Sequence, residues 1–176
     1  MAEKMLLVVD MQNDFIDGAL GSQDAQAIVQ NVVAKINEWK GLVVATLDTH
    51  GEDYLDTLEG KKLPVRHCIK GTDGWKLNPL VEKALKAKNA KIVEKGTFGC
   101  VSLGSILREW TGTPAEIQLC GLCTDICVVS NALLLRAEFP NTPMAVCANC
   151  CAGVTPEKHQ AALDVMASCQ IDVYFD

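Results

Sequence analysis

Short, wholly apolar runs alternate with longer stretches of helical period along the whole chain, and this alternation limits the fold more than any other feature. Met5-Leu6-Leu7-Val8-Val9 and Leu42-Val43-Val44-Ala45-Thr46-Leu47 read as strands, as do Ala90 to Val93, Ala115 to Gly121, Pro143 to Cys147 and Ile171 to Phe175. Between them, Ala25 to Trp39, Asn78 to Lys88, Ser102 to Trp110, Thr124 to Glu138 and Pro156 to Ser168 read as helices. A strand that faces water on one side alternates apolar and polar residues; these do not, so both faces are covered. Six strands alternating with helices predict a three-layer α/β/α fold around a parallel sheet. The pattern leaves the strand order open. No repeat or linker interrupts it, and one domain over residues 1–176 is expected.

Composition narrows the function. The formal net charge is -6, and no Lys/Arg cluster exceeds two or three residues, so no nucleic-acid surface is expected. The apolar runs fall well short of the roughly 18 residues of a membrane span. The N-terminus enters a strand directly, without a secretion signal, and the expected location is the cytoplasm. Nine cysteines is an odd number, which argues against a disulfide framework and leaves reduced thiols as core residues, metal ligands or a nucleophile.

In open parallel sheets the ligand site lies beyond the carboxyl ends of the strands. Asp10 follows the first strand, Asp48 and His50 the second and Lys95 the third; Cys127 follows the fourth, in the first turn of the next helix. Cys127 is either a small buried core residue or a nucleophile, favoured as thiolate by the helix N-terminus. Asp10 is either a turn residue or the base that takes the thiol proton, since no histidine lies near Cys127 in sequence. Lys95 is either a solvated lysine or a cation that favours both anions and polarises a carbonyl.

Asp48, His50 and His67 are metal candidates: a D-x-H at a strand end sets two ligands on one side of an extended segment, and His67 can fold back across the loop. Asp53 and Asp56 are either further donors or ordinary loop acids. His159 falls on a surface helix with no expected partner. Cys120-x-x-Cys123 and Cys147-x-x-Cys150, with Cys151 adjacent, form a competing set with zinc-ribbon-like spacing, and imply a non-catalytic zinc or redox module instead. No dinucleotide-binding or P-loop glycine pattern occurs.

Taken in order, Leu7-Val8-Val9-Asp10-Met11-Gln12-Asn13-Asp14-Phe15, Asp48-x-His50, His67-Cys-x-x-Gly71-Thr72, Val93-x-Lys95 and Cys120-Gly-x-x-Thr124-Asp125-x-Cys127-Val128 resemble the isochorismatase-like cysteine hydrolases, and within them the nicotinamidase/pyrazinamidase branch. The resemblance implies a six-stranded parallel sheet and a triad of Cys127 as nucleophile, Asp10 as general base and Lys95 as electrostatic partner. It implies a divalent ion on Asp48, His50 and His67, zinc first, with iron or manganese as alternatives. It also implies a cis peptide at Leu122–Cys123, which turns the Cys123 N–H toward that of Cys127 to form an oxyanion hole. The activity implied is hydrolysis of a small carboxamide, nicotinamide first, within NAD metabolism, with another small amide or carbamoyl substrate as the alternative. Neither a nucleic-acid nor a membrane partner is implied, and homo-oligomerisation stays open.

The chain also departs from that branch. Pro64 stands three positions before His67, where an aromatic residue is usual, the loop after Lys95 is short, and Ile126 replaces an aromatic or His. Phe15 and Phe98 are the candidates to stack on a flat substrate ring, with Trp75 as a further one.

Overall fold

The computed structural model describes residues 2–176. All six expected strands are present: β1 (Lys4–Val9), β2 (Leu42–Asp48), β3 (Lys91–Lys95), β4 (Glu116–Leu122), β5 (Met144–Ala152) and β6 (Asp172–Tyr174). They form one sheet in the order β3-β2-β1-β4-β5-β6, and every pairing is parallel. The central strands are apolar because helices cover both sides: from Met5 to Val9 every side chain of β1 is buried.

The helices are α1 (Asn13–Ile16), α2 (Gln23–Ala27), α3 (Val29–Glu38), α4 (Leu58–Lys62), α5 (Pro79–Ala87), α6 (Leu103–Thr111), α7 (Val129–Glu138) and α8 (Pro156–Ser168). Their ends follow local chemistry. Asn78 caps α5 and Thr155 caps α8 by accepting a backbone N–H, and each is followed by a proline whose missing N–H costs nothing at that position. α3 and α5 pack together on one side, and α7 packs between α6 and α8 on the other.

Several boundaries differ from expectation. The helix expected over 25–39 is two, separated at Ile28; α2 buries only Ala25, whereas α3 buries Val29, Val32 and Ile36. The stretch from Asp48 to Lys76, which lacks periodicity, contains a 3-10 turn at Tyr54–Asp56 and the short α4, capped by the Thr57 hydroxyl. β3 runs two residues past Val93, because it pairs with β2 as far as Asp48 opposite Lys95. β5 runs to Ala152 rather than Cys147.

Chain order reverses between β1 and β4, the outward path running through β2 and β3 on one side and β5 and β6 on the other. Such a reversal opens a crevice at the carboxyl ends of the strands. At this seam Gly121 has φ +119, and a Cβ there would stand 2.1 Å from the Val9 carbonyl oxygen. Only glycine lets β4 approach the end of β1 so closely.

Candidate active site and metal centre

Asp10, the first residue after β1, lies in the reversal crevice and has φ 47, a left-handed conformation that is costly for a residue with a Cβ. Its side chain is fully buried. Oδ1 accepts the Thr46 hydroxyl at 2.7 Å, and Oδ2 lies 2.7 Å from the Lys95 ammonium. Burial raises the Asp10 pKa above the usual carboxylate range even though Lys95 opposes it.

Lys95 is no surface lysine. Its ammonium is buried, 3.5 Å from Cys127 Sγ and 3.2 Å from Asp48 Oδ1, and donates to the Thr97 carbonyl at 3.0 Å. Burial alone would lower its pKa, but Asp10, Cys127 and Asp48 raise it further and keep it protonated.

Cys127 lies on the same rim, with its Sγ 3.5 Å from the Lys95 ammonium. It sits, as expected, in the opening turn of the helical segment after β4, but that turn, Thr124–Val128, is a π turn that runs directly into α7. Burial and the adjacent Asp10 push its thiol well above the ordinary range, with Lys95 opposing. Cys127 thus lies beside the Asp10–Lys95 pair, where burial and Asp10 favour its neutral form and Lys95, 3.5 Å away, favours the thiolate. The Leu122–Cys123 peptide that opens the turn is cis.

Asn131 holds this turn in place. Its amide donates to the carbonyls of Cys127 at 2.7 Å and Phe98 at 3.1 Å, and its oxygen accepts the Cys100 N–H at 2.8 Å. No sequence signal had singled it out, because a lone Asn inside a helix reads as a neutral surface residue.

Asp48 ends β2. Gln12 fixes it there, accepting its N–H at 2.7 Å and donating to its carbonyl at 2.8 Å. Asp48 Oδ2 lies 2.9 Å from His50 Nε2 and 3.8 Å from His67 Nε2. Burial would raise the Asp48 pKa, but the His50 hydrogen bond and Lys95 outweigh it, so the carboxylate stays ionised. His67 is oriented by its own Nδ1, 2.8 Å from the Val65 carbonyl, which turns Nε2 inward. Tyr54 is buried under both imidazoles, with centroids 4.7 Å from His50 and 4.9 Å from His67.

A fourth donor, Glu59 from the first turn of α4, brings Oε1 within 3.6 Å of His50 Nε2 and 3.8 Å of His67 Nε2. Donor atoms of Asp48, His50, Glu59 and His67 all lie within 4.8 Å of one another. Two imidazoles and two carboxylates suit a divalent ion of the zinc, iron or manganese type. Asp53 and Asp56, the acids weighed from sequence, are absent from this group, whereas Glu59, which sequence reasoning missed, belongs to it. The 3-10 turn and α4 carry Glu59 back over the histidines, and that placement has no local signature.

The substrate-stacking candidates separate. The Phe15 ring is buried, 5.6 Å from the His67 ring. Phe98 is 44% exposed, beside the Lys95 loop. The Trp75 indole donates to the Thr49 hydroxyl at 2.9 Å. His159, expected to be unpartnered, lies half-buried with Nδ1 2.7 Å from the Thr124 hydroxyl, because α8 packs against the π turn. The four-cysteine set does not assemble: Cys147 and Cys150 gather instead with Asp176. All nine cysteines are free.

Comparison with known proteins agrees with this geometry. A family model described as the isochorismatase domain matches residues 4–174. The chain superimposes on a nicotinamidase/pyrazinamidase, PncA, from Bacillus subtilis with a TM-score of 0.85 and 32% identity, covering 97% of this chain and 98% of that one. It superimposes on a Pyrococcus horikoshii pyrazinamidase in complex with zinc with a TM-score of 0.82 and 26% identity, covering 99% of each. The Mycobacterium tuberculosis nicotinamidase/pyrazinamidase is 26% identical over an alignment covering 97% of each chain.

Proposed function

The chain belongs to the isochorismatase domain family, and from that premise we propose that it is a cysteine amidohydrolase that converts nicotinamide to nicotinate and ammonia. The observation that carries the reading is the buried group of Asp10, Lys95 and Cys127 at the sheet reversal, with Lys95 within 2.7 Å of Asp10 and 3.5 Å of Cys127. The similarity to nicotinamidase/pyrazinamidases supports the substrate.

In this mechanism Cys127 Sγ attacks the carboxamide carbon while its proton passes to Asp10 Oδ2. Burial disfavours a free thiolate at Cys127, and Asp10 is the base that takes the proton as the C–S bond forms. Lys95 remains charged throughout and stabilises the developing anions. The backbone N–H groups of Cys123 and Cys127 are assigned to the oxyanion. Asp10 returns the proton to nitrogen, the C–N bond breaks and ammonia leaves a thioester on Cys127. Asp10 then takes a proton from water as the hydroxide attacks the thioester carbon, the C–S bond breaks to release the acid, and Asp10 returns that proton to the leaving Cys127 sulfur, which restores the thiol and the carboxylate.

Asp48, His50, His67 and Glu59 would hold a divalent ion, assigned as zinc. When bound, it would supply an electron-pair acceptor for a ring nitrogen. Phe15, packed on His67, and Phe98 are assigned to the faces of the ring. A cytoplasmic setting within NAD metabolism completes the reading, supported by nine free thiols that suit a reducing compartment.

Ammonia release from nicotinamide, pyrazinamide and a set of ring-free amides tests the proposal. Turnover of the ring amides, lost in Cys127→Ala, supports it; no ammonia from any of them would sink it. A ring-free amide is the second reading, favoured by exposed Pro64 where the branch carries an aromatic residue. Faster turnover of the ring-free set would establish it.

A further inference from the structure

A second group of metal-type donors lies on β5 and just beyond β6. Residues three apart on a regular strand point to opposite faces, so Cys147 and Cys150 should not meet. They do because β5 is irregular. From Leu119 to Gly121 β4 takes two steps, while the partner residues on β5, Val146 to Cys151, span five. The three extra residues form a bulge that brings both sulfurs to one side. Donor atoms of Cys147, Cys150 and Asp176 lie within 4.8 Å of one another, with Asp176 Oδ2 3.7 Å from Cys147 Sγ.

The surroundings fix this arrangement. Asn149, inside the bulge, donates to the Asp176 carbonyl at 2.9 Å and accepts its N–H at 3.0 Å, so its side chain clamps Asp176 beside the thiols. The Asn149 carbonyl in turn accepts Asn31 Nδ2 at 2.8 Å from α3. The two thiols are buried and Asp176 is exposed, which leaves the carboxylate as the point of entry.

We infer that Cys147, Cys150 and Asp176 form a second metal site, for a thiophilic divalent cation such as Zn2+. None of its residues belongs to the Asp10–Lys95–Cys127 group or to the Asp48, His50, Glu59, His67 centre. On a tetrahedral ion with Zn–S of about 2.3 Å and Zn–O of about 2.1 Å, neighbouring donors stand about 3.4–3.8 Å apart, and Asp176 Oδ2 already stands 3.7 Å from Cys147 Sγ, with Cys150 Sγ within 4.8 Å of both. On binding, two S–H bonds break, two sulfur–metal bonds form, and two protons go to solvent. The two thiolates and the carboxylate carry three negative charges. The ion balances two of them and the Lys35 ammonium, 2.8 Å from Asp176 Oδ2, the third. Water takes the fourth position. The ion would tie β6 to β5.

Cadmium titration tests this in chelator-stripped protein carrying His50→Ala and Cys127→Ala, which removes the other centre and the candidate nucleophile. A thiolate-to-cadmium charge-transfer band saturating at one equivalent is expected. Cys147→Ser should abolish the band, and Asp176→Asn should weaken binding at least about tenfold. In parallel, wild-type protein should take up two equivalents of zinc and Cys147→Ser protein one. Absence of the band, its persistence in Cys147→Ser, or a Cys147–Cys150 disulfide forming in place of metal uptake would overturn the site.

Discussion

Asp48 and Lys95 stand opposite each other at the ends of β2 and β3, and the Lys95 ammonium lies 3.2 Å from Asp48 Oδ1. The other Asp48 oxygen faces His50 at 2.9 Å. One buried carboxylate thus joins the thiol-bearing group to the imidazole cluster. A change at Asp48 should therefore register in both places, and Asp48→Asn makes the first prediction. The variant should lose metal in elemental analysis and lose about 10² or more in kcat/KM. Loss of activity with full metal content would show that the two centres are independent.

Asp10, Lys95 and Cys127 should behave as a unit. Asp10→Asn and Cys127→Ala should each remove nearly all amide hydrolysis, and the double variant should be hardly worse than either, because each alone disables the same step. Multiplying losses, measured as kcat, would assign Asp10 a separate structural role.

The pH profile carries a sign. Asp10 acts as a base only when ionised, and burial raises its pKa above the ordinary value of about 3.9. Activity should fall as pH drops, with a midpoint above that value. Because Lys95 lowers the Asp10 pKa, Lys95→Met should move the midpoint of the residual activity further up. An acidic limb that stays at the wild-type midpoint in Lys95→Met would disconnect it from Asp10.

Glu59 should be a metal ligand rather than a bystander. Glu59→Gln should weaken metal binding by at least about 10–100-fold, the scale seen for supporting groups at metal sites. A competitive chelator titration reads this directly. Asp56→Asn, outside the donor group, serves as the control and should leave affinity unchanged.

Asn131 predicts a stability effect. Asn131→Ala leaves the buried Cys100 N–H and the Cys127 carbonyl without their side-chain partner, a loss of about 1–3 kcal/mol. Chemical denaturation should record this, and the loosened π turn should lower kcat in the same variant.

The strands and most of the helices were legible because their causes are local. An unbroken apolar run such as Met5 to Val9 needs cover on both faces, and Thr155-Pro156 starts a helix by its own hydrogen bonding. Strand-end logic also brought Asp10, Asp48, His50, Lys95 and Cys127 to one rim, since side chains just past parallel strands share an edge whatever the strand order. What the tertiary structure alone decided depends on contacts distant in sequence. The order β3-β2-β1-β4-β5-β6 sets Asp10 against the Cys127 turn, and burial there pushes the thiol pKa up where a helix end alone would lower it. Glu59 reaches the histidines only through the fold of the 3-10 turn and α4, and His159 meets Thr124 only through the packing of α8. Cys147 and Cys150 meet only because β5 bulges against β4. Periodicity and capping act within a few residues, so they specify elements; desolvation and ion pairing act between elements, so they appear only once the sheet has brought those elements together.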